Sequence, residues 1–166
     1  MGSDKSLLPF DGVAMAVRVS NALTAAGCTD VVAIGGDAPA LSALGLAVVA
    51  DEHPGEGPLG GVITALHQFP SANGVMVVAC DLPLLTAATV SALLDGRGDA
   101  DVAMAQTDRL QPLCAVWSPR AVDRLQTVFD SGERRLQAAL DGMETRRVGV
   151  DHQELANHNT PGDLPH

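Results

Sequence analysis

Asp81 is the residue from which chemistry can be argued first. It follows the apolar run Val75-Met-Val-Val-Ala-Cys80, and Pro83 comes two positions later. A proline cannot donate to a strand ladder, so the acid is expected at or just past the carboxyl end of a strand. In open α/β sheets ligands bind beyond those ends. A lone carboxylate there suits a hard divalent cation and, through it, a phosphate. The plainer alternative is that Asp81 only caps the helix expected near Ala87. Asp51 repeats the pattern after a second apolar run, Leu46-Ala-Val-Val-Ala50. Behind it, Pro54, Gly55, Gly57 and Pro58 make a rigid loop poor in side chains, with a helix expected over 59–68. Glycines just before a helix start let backbone N–H groups face an anion. Lys5 is the only lysine of the chain, and its compact charge on a long stem suits a phosphate. Its alternative is a solvated surface lysine. Two acids and one lysine around a Gly/Pro loop describe a nucleotide–metal site better than a sugar or lipid pocket.

Those residues meet only if the chain supplies the right frame. The run 75–80 is apolar on both faces, as a central strand of a parallel sheet requires. Strands 46–50 and 75–80, if parallel, would deliver both acids to one edge, within reach of Lys5. The first twelve residues read as a loop and short turn. Apolar residues at helical spacing predict a helix over 13–26, with Gly27 as its stop. Further strands are expected at 31–34, 102–105, 113–117 and 146–150. Further helices are expected at 41–45 (short), 87–94, from Ser118-Pro119 to about 129, and 131–140, with a polar turn at the tail. Strands alternating with helices predict a three-layer α/β/α sandwich.

Composition narrows the partners. The chain has 166 residues, 46% of them hydrophobic, which fits one well-buried domain rather than a disordered segment. A formal charge of −10 disfavours a nucleic-acid partner. Aromatic residues make up only 2%, with no tyrosine, so a base-stacking platform is not expected. Cys28, Cys80 and Cys114 lack metal-ligand spacing and read as buried apolar residues of a reduced protein. The five histidines form neither HExxH nor a His–carboxylate pattern, which argues against a zinc site or a serine hydrolase. No run is long and apolar enough for a membrane span and no leader pattern is present, so a cytoplasmic protein is expected.

Taken together, six segments resemble the molybdenum cofactor guanylyltransferase (MobA) family. They are Met1-Gly-Ser-Asp-Lys-Ser-Leu-Leu8, Asp51 with Gly57-Pro-Leu-Gly60, Cys80-Asp-Leu-Pro83, Gln111-Pro112, Gly132-Glu-Arg-Arg135 and Asn157-His-Asn-Thr-Pro161. They run through essentially the whole chain in the family's order. The resemblance implies a single nucleotidyltransferase domain over 1–166, with a Rossmann-like, mostly parallel sheet of the nucleotide-diphospho-sugar transferase kind. It implies transfer of GMP from GTP to Mo-molybdopterin, with Mg²⁺ as cofactor and molybdenum-cofactor insertion proteins as candidate partners. By analogy Lys5 contacts the GTP phosphates, and Asp51, Gly57, Pro58, Leu59 and Gly60 contact the nucleotide. Asp81 holds the metal, and Gln111, Arg134, Arg135, Asn157 and Asn159 lie toward the pterin. The family's opening strand and Leu-Ala-Gly-Gly loop do not precede Met1, and a shortened chain is expected rather than a crippled enzyme. Ile34-Gly35-Gly36 stands where family members carry an asparagine. Transfer from CTP, transfer to a sugar phosphate, and a non-catalytic homologue are the alternatives.

Overall fold

The structure is a computed structural model that describes residues 5–156. In chain order the elements are β1 (Pro9–Phe10), β2 (Val13–Ala14), α1 (Met15–Ala25), β3 (Val32–Ile34), α2 (Ala38–Ala43), β4 (Ala47–Val49), α3 (Pro58–Gln68), β5 (Val75–Val78), α4 (Ala87–Arg97), β6 (Val102–Gln106), β7 (Leu110–Trp117), α5 (Val122–Asp130) and β8 (Thr145–Gly149). Single 3₁₀ turns lie at Lys5–Leu7, Pro119–Ala121, Ala138–Leu140 and His152–Leu155. No described helix is long and apolar enough to cross a membrane. The fold class is α/β with parallel sheet elements, as the alternation of strands and helices predicts.

The chain divides into two compact units. One is built from the segment up to Val49, Val78–Ser91 and the segment from Val150 on. It contains the parallel pair β3–β4, in register Val32 with Ala47 through Ile34 with Val49. The antiparallel β1–β2 ribbon precedes α1, whose buried face is Met15, Ala16, Val19 and Ala22. Asp37 caps α2, its carboxylate accepting from the Ala40 amide at 3.1 Å, so the first turn has an acceptor for one of its orphan donors.

The other unit comprises Ala50–Val77 and Ala92–Gly149. Its sheet has the order β5-β7-β6-β8, with β6 antiparallel to β7 and parallel to β8. Its centre is β6: Val102, Ala103, Met104 and Ala105 are wholly buried, as are Cys114, Ala115 and Trp117 of β7. α3 covers apolar surface with Leu59, Val62, Ile63 and Leu66, each at 1% exposure or less. Burial of each such side chain contributes roughly 1.5–3 kcal/mol. Asp101 ties the strand starts together. Its carboxylate accepts from Arg120 Nε at 3.1 Å and from the Glu144 amide at 3.0 Å, and its own amide donates to the Glu144 carbonyl.

Four expectations need correction. β5 is not the buried centre of its sheet: it ends the strand order, and only Val75 is fully buried, Met76, Val77 and Val78 being half-buried. An apolar run alone does not separate a central strand from a flanking one. β7 begins at Leu110 rather than Leu113, so Gln111 and Pro112 lie in the strand. Its register slips there, Met104 facing Ala115 but Ala105 facing Gln111, because Pro112 has no N–H for the ladder. The helix expected over 131–140 is only the 3₁₀ turn Ala138–Leu140. Gly132, at φ +94, terminates α5 by donating to the Phe129 carbonyl, a left-handed ending that glycine adopts without strain. The cysteines are not uniformly buried: Cys114 is, Cys28 is half-buried, with burial pushing its thiol pKa up, and Cys80 is exposed.

Candidate active site

Each acid predicted from sequence sits just beyond a strand, in a different unit and in a different environment. Asp51 follows β4 by two residues and is held from two sides. Its Oδ1 accepts from the His53 amide at 2.9 Å and faces Thr64 Oγ1 at 3.1 Å. Thr64, on α3 and only 1% exposed, is the hub of this arrangement. Its hydroxyl also receives the Glu52 amide at 3.1 Å and lies 3.1 Å from the Gly60 carbonyl. One hydroxyl has one proton, so it cannot donate to both oxygens; the charged carboxylate is the stronger acceptor. Oδ2 of Asp51 accepts no hydrogen bond from the described residues.

The predicted glycine-rich loop is present, with a rigid reason for its composition. Gly57 precedes α3 and Pro58 opens it, the position where a missing N–H costs nothing. Gly60 packs against His53: a Cβ at position 60 would stand 2.7 Å from His53 Cβ, so any larger residue must push the loop away. The His53 ring lies against Phe129, centroids 4.3 Å apart, and its Nε2 is buried without a hydrogen-bond partner. Leu59 is wholly buried and anchors the helix start to the core.

Arg134 closes the far side of this loop. Its Nε donates to Glu56 Oε2 at 2.5 Å, and its Nη1 to the carbonyls of Phe129 at 2.7 Å and Glu133 at 3.0 Å. Its guanidinium carbon is 3.9 Å from the centre of the Phe129 ring. Arg135 differs. It pairs only with Glu133, bidentately through Nε to Oε1 at 3.1 Å and Nη2 to Oε2 at 2.8 Å, and its side chain is 78% exposed. At that exposure solvent and salt screen the pair. The Glu133 carboxylate, bonded to the Arg135 side chain and to the amides of Arg135 and Arg134, has its pKa lowered to about 2. Gln111 is half-buried at the start of β7, its amide nitrogen 3.3 Å from Thr107 Oγ1.

In the other unit Asp81 stands in the turn after β5, half-buried. Its carboxylate makes neither an ion pair nor a hydrogen bond among the described residues, so it does not cap α4. Thr86 does that, its Oγ1 accepting from the Thr89 amide at 3.2 Å, with Glu154 Oε2 receiving both threonine hydroxyls. Asp81 is placed by its neighbours: Leu82, Pro83 and Leu85 are buried, and Arg18 Nε donates to the Pro83 carbonyl at 2.9 Å. Arg18 is itself laid over the Phe10 ring at 5.0 Å. Lys5 opens the first 3₁₀ turn of the same unit and is exposed. Asn157 and Asn159 lie outside the described residues.

Thr64, His53, Glu56, Phe129 and Arg18 were not singled out from the sequence. Thr64 had a readable signal, a β-branched hydroxyl inside the apolar run Leu59–Leu66 and four residues after Gly60. Arg18 and Phe129 had none, because the carbonyl that Arg18 holds is 65 residues away and the His53 ring against Phe129 belongs to a distant segment.

No group of three His, Cys, Asp or Glu side chains that could cage a metal exists among the described residues. What is present is one uncommitted carboxylate beyond a strand. That donor set fits Mg²⁺, which takes one or two carboxylates and completes its shell with water and substrate phosphates.

Comparison with known proteins supplies the context. The model of the family described as MobA-like NTP transferase domain matches residues 1–148. The chain is 38% identical over 151 residues to a Chloroflexus aggregans protein named a probable molybdenum cofactor guanylyltransferase, covering 82% of this chain and 71% of that one. It is 33% identical over 167 residues to the molybdenum cofactor guanylyltransferase of Xanthomonas euvesicatoria pv. vesicatoria, covering 97% and 84%. Among solved structures it resembles molybdopterin-guanine dinucleotide biosynthesis protein A from Archaeoglobus fulgidus, with a TM-score of 0.75 and 21% identity over 96% of this chain and 86% of that one.

Proposed function

The chain belongs to the MobA-like NTP transferase family, and from that membership we propose that it transfers GMP from GTP to the terminal phosphate of Mo-molybdopterin. The products are molybdopterin guanine dinucleotide and pyrophosphate. The observation that carries the reading is its kinship, over nearly its whole length, to curated guanylyltransferases. The two acids that follow β4 and β5 support it, one held in place and one uncommitted. The family model spans both compact units, which supports reading them as one nucleotidyltransferase domain.

The attacking group is a phosphate, anionic at neutral pH, so no side chain has to remove its proton. The barrier is the approach of one polyanion to another, and catalysis becomes positioning and charge neutralisation. Asp51 and the backbone of Gly57, Pro58, Leu59 and Gly60 hold the nucleotide. Lys5 offsets charge on its phosphates. Asp81 would hold Mg²⁺, which would supply Lewis-acid stabilisation to the reacting phosphates. Gln111, Arg135, Asn157 and Asn159 receive the pterin phosphate. The resemblance sends Arg134 there as well, but its guanidinium is already engaged inside the protein. The chain works in the cytoplasm, its formal charge of −10 keeps nucleic acid away, and its product passes to molybdenum-cofactor insertion proteins.

Incubation with Mo-molybdopterin, Mg²⁺ and GTP, CTP or UTP in parallel tests this. The guanine dinucleotide and pyrophosphate are expected with GTP alone. Product with CTP instead would move the chain to the cytidylyl reading. Absence of both nucleotide binding and transfer from a folded protein would leave a non-catalytic homologue.

A further inference from the structure

We propose that Arg134 is a positioning residue for the nucleotide loop, fastened across Phe129 to hold Asp51–Gly57 in place, and not a ligand of the second anion. The inference rests on the reading of residues 51–60 as the loop that receives GTP.

The donors of Arg134 decide the matter. An arginine docks a phosphate through two parallel N–H groups on one edge of its fork. Nε of Arg134 is taken by Glu56, and both protons of Nη1 are taken by the carbonyls of Phe129 and Glu133. Each bidentate edge includes Nε or Nη1, so no complete edge is left, and a carboxylate at 2.5 Å already offsets the charge. Arg135 is 78% exposed and spends its side chain on Glu133 alone, with Nη1 uncommitted among the described residues.

The contacts of Arg134 run back to the nucleotide loop by two routes. One is the direct pair with Glu56, 78 residues away in sequence. The other passes through the Phe129 ring to His53, and from His53 to Gly60 at the start of α3. His53 is also the residue whose amide holds the Asp51 carboxylate. Phe129 is 7% exposed, so the clasp is founded on a core side chain. Its chemistry has a second consequence. Glu56 puts a negative charge on a loop that a triphosphate must approach, and Arg134 cancels it.

That charge logic gives the test. Steady-state kinetics with Mg-GTP and Mo-molybdopterin are measured for the intact chain and for Arg134→Met, Glu56→Gln, the double variant and Phe129→Leu. Arg134→Met is expected to raise KM for GTP about tenfold, the equivalent of about 1.4 kcal/mol, with KM for Mo-molybdopterin and kcat unchanged. Adding Glu56→Gln to it should recover part of the loss, because the stranded charge is gone. Phe129→Leu should raise KM for GTP in the same selective way. A rise in KM for Mo-molybdopterin instead would overturn the proposal, and so would unchanged kinetics or a double variant worse than Arg134→Met. Should Arg134→Met fail to fold, Phe129→Leu carries the same comparison. Calorimetry of Mg-GTP on the intact chain separates the two readings. If it does not bind GTP, the proposed function fails; if it binds and Arg134→Met binds equally well, only the clasp does.

Discussion

The segments that follow β4 and β5 both leave a strand toward an acid, yet they are built in opposite ways. After β4, the acid itself is held: the Thr64 hydroxyl and the His53 amide fix Asp51, and Phe129 and Arg134 brace the residues around it. After β5, the backbone is fixed and the acid is not. Leu82, Pro83 and Leu85 are buried and Arg18 holds the Pro83 carbonyl, while Asp81 has no partner among the described residues. The difference matches the two tasks proposed for these acids. A nucleotide has a fixed shape, and a preorganised loop avoids an ordering cost when it binds. A metal ion needs a carboxylate whose charge has not been spent elsewhere, since pairing it internally would reduce what it can offer a cation.

The largest effect should come from the uncommitted acid. Asp81→Ala removes the proposed metal ligand and breaks no hydrogen bond or ion pair within the described residues. Turnover should fall by roughly 10²–10³-fold, the scale of one lost electrostatic stabiliser, with unfolding stability moving by no more than about 0.5 kcal/mol. Single-turnover GMP transfer and urea denaturation of the same preparation give both numbers. Near-normal transfer would remove the metal role and with it half of the comparison.

Thr64→Val should show the reverse signature. The substitution keeps the volume but strips the hydroxyl from a residue that is 1% exposed. The Glu52 amide loses its acceptor and Asp51 Oδ1 one of its two donors. Leaving such groups unsatisfied costs about 1–3 kcal/mol, so both stability and GTP affinity should drop, with kcat much less affected. A variant as stable as the parent would show that Asp51 is not held through Thr64.

The contrast also explains what could be read from the sequence. Both acids, the Gly/Pro loop and the alternation of strands and helices are local signals, carried by residues within a few positions of each other. The holders are not local. Arg18 acts on a carbonyl 65 residues away and Arg134 on a carboxylate 78 residues away, and neither spacing leaves a pattern. The apolar run of β5 overstates its burial, because a run of valines looks the same wherever it stands in a sheet. Pro112 and Gly132 were visible as breakers, but the register slip at Pro112 and the backward fold of Arg134 after Gly132 depend on neighbours in space.

The smallest effect concerns Glu133 and Arg135, the exposed counterpart of the Arg134 clasp. Glu133 has its pKa lowered to about 2 from an ordinary 4.5, first by the hydrogen bond from the Arg135 side chain and then by two backbone amides. A depressed carboxylate stabilises the fold fully above the unfolded value and loses that contribution as pH falls toward the folded one. Glu133→Gln should therefore lower stability by a constant amount at neutral pH, and the gap to the parent should close between about pH 4.5 and 2. Because both side chains reach solvent, raising the salt concentration should shrink the gap as well, whereas the GTP dependence assigned to Arg134 should change far less. Denaturation curves across that pH range, in low and high salt, test it. A gap that persists below pH 2 would mean that Glu133 acts through packing and not through charge.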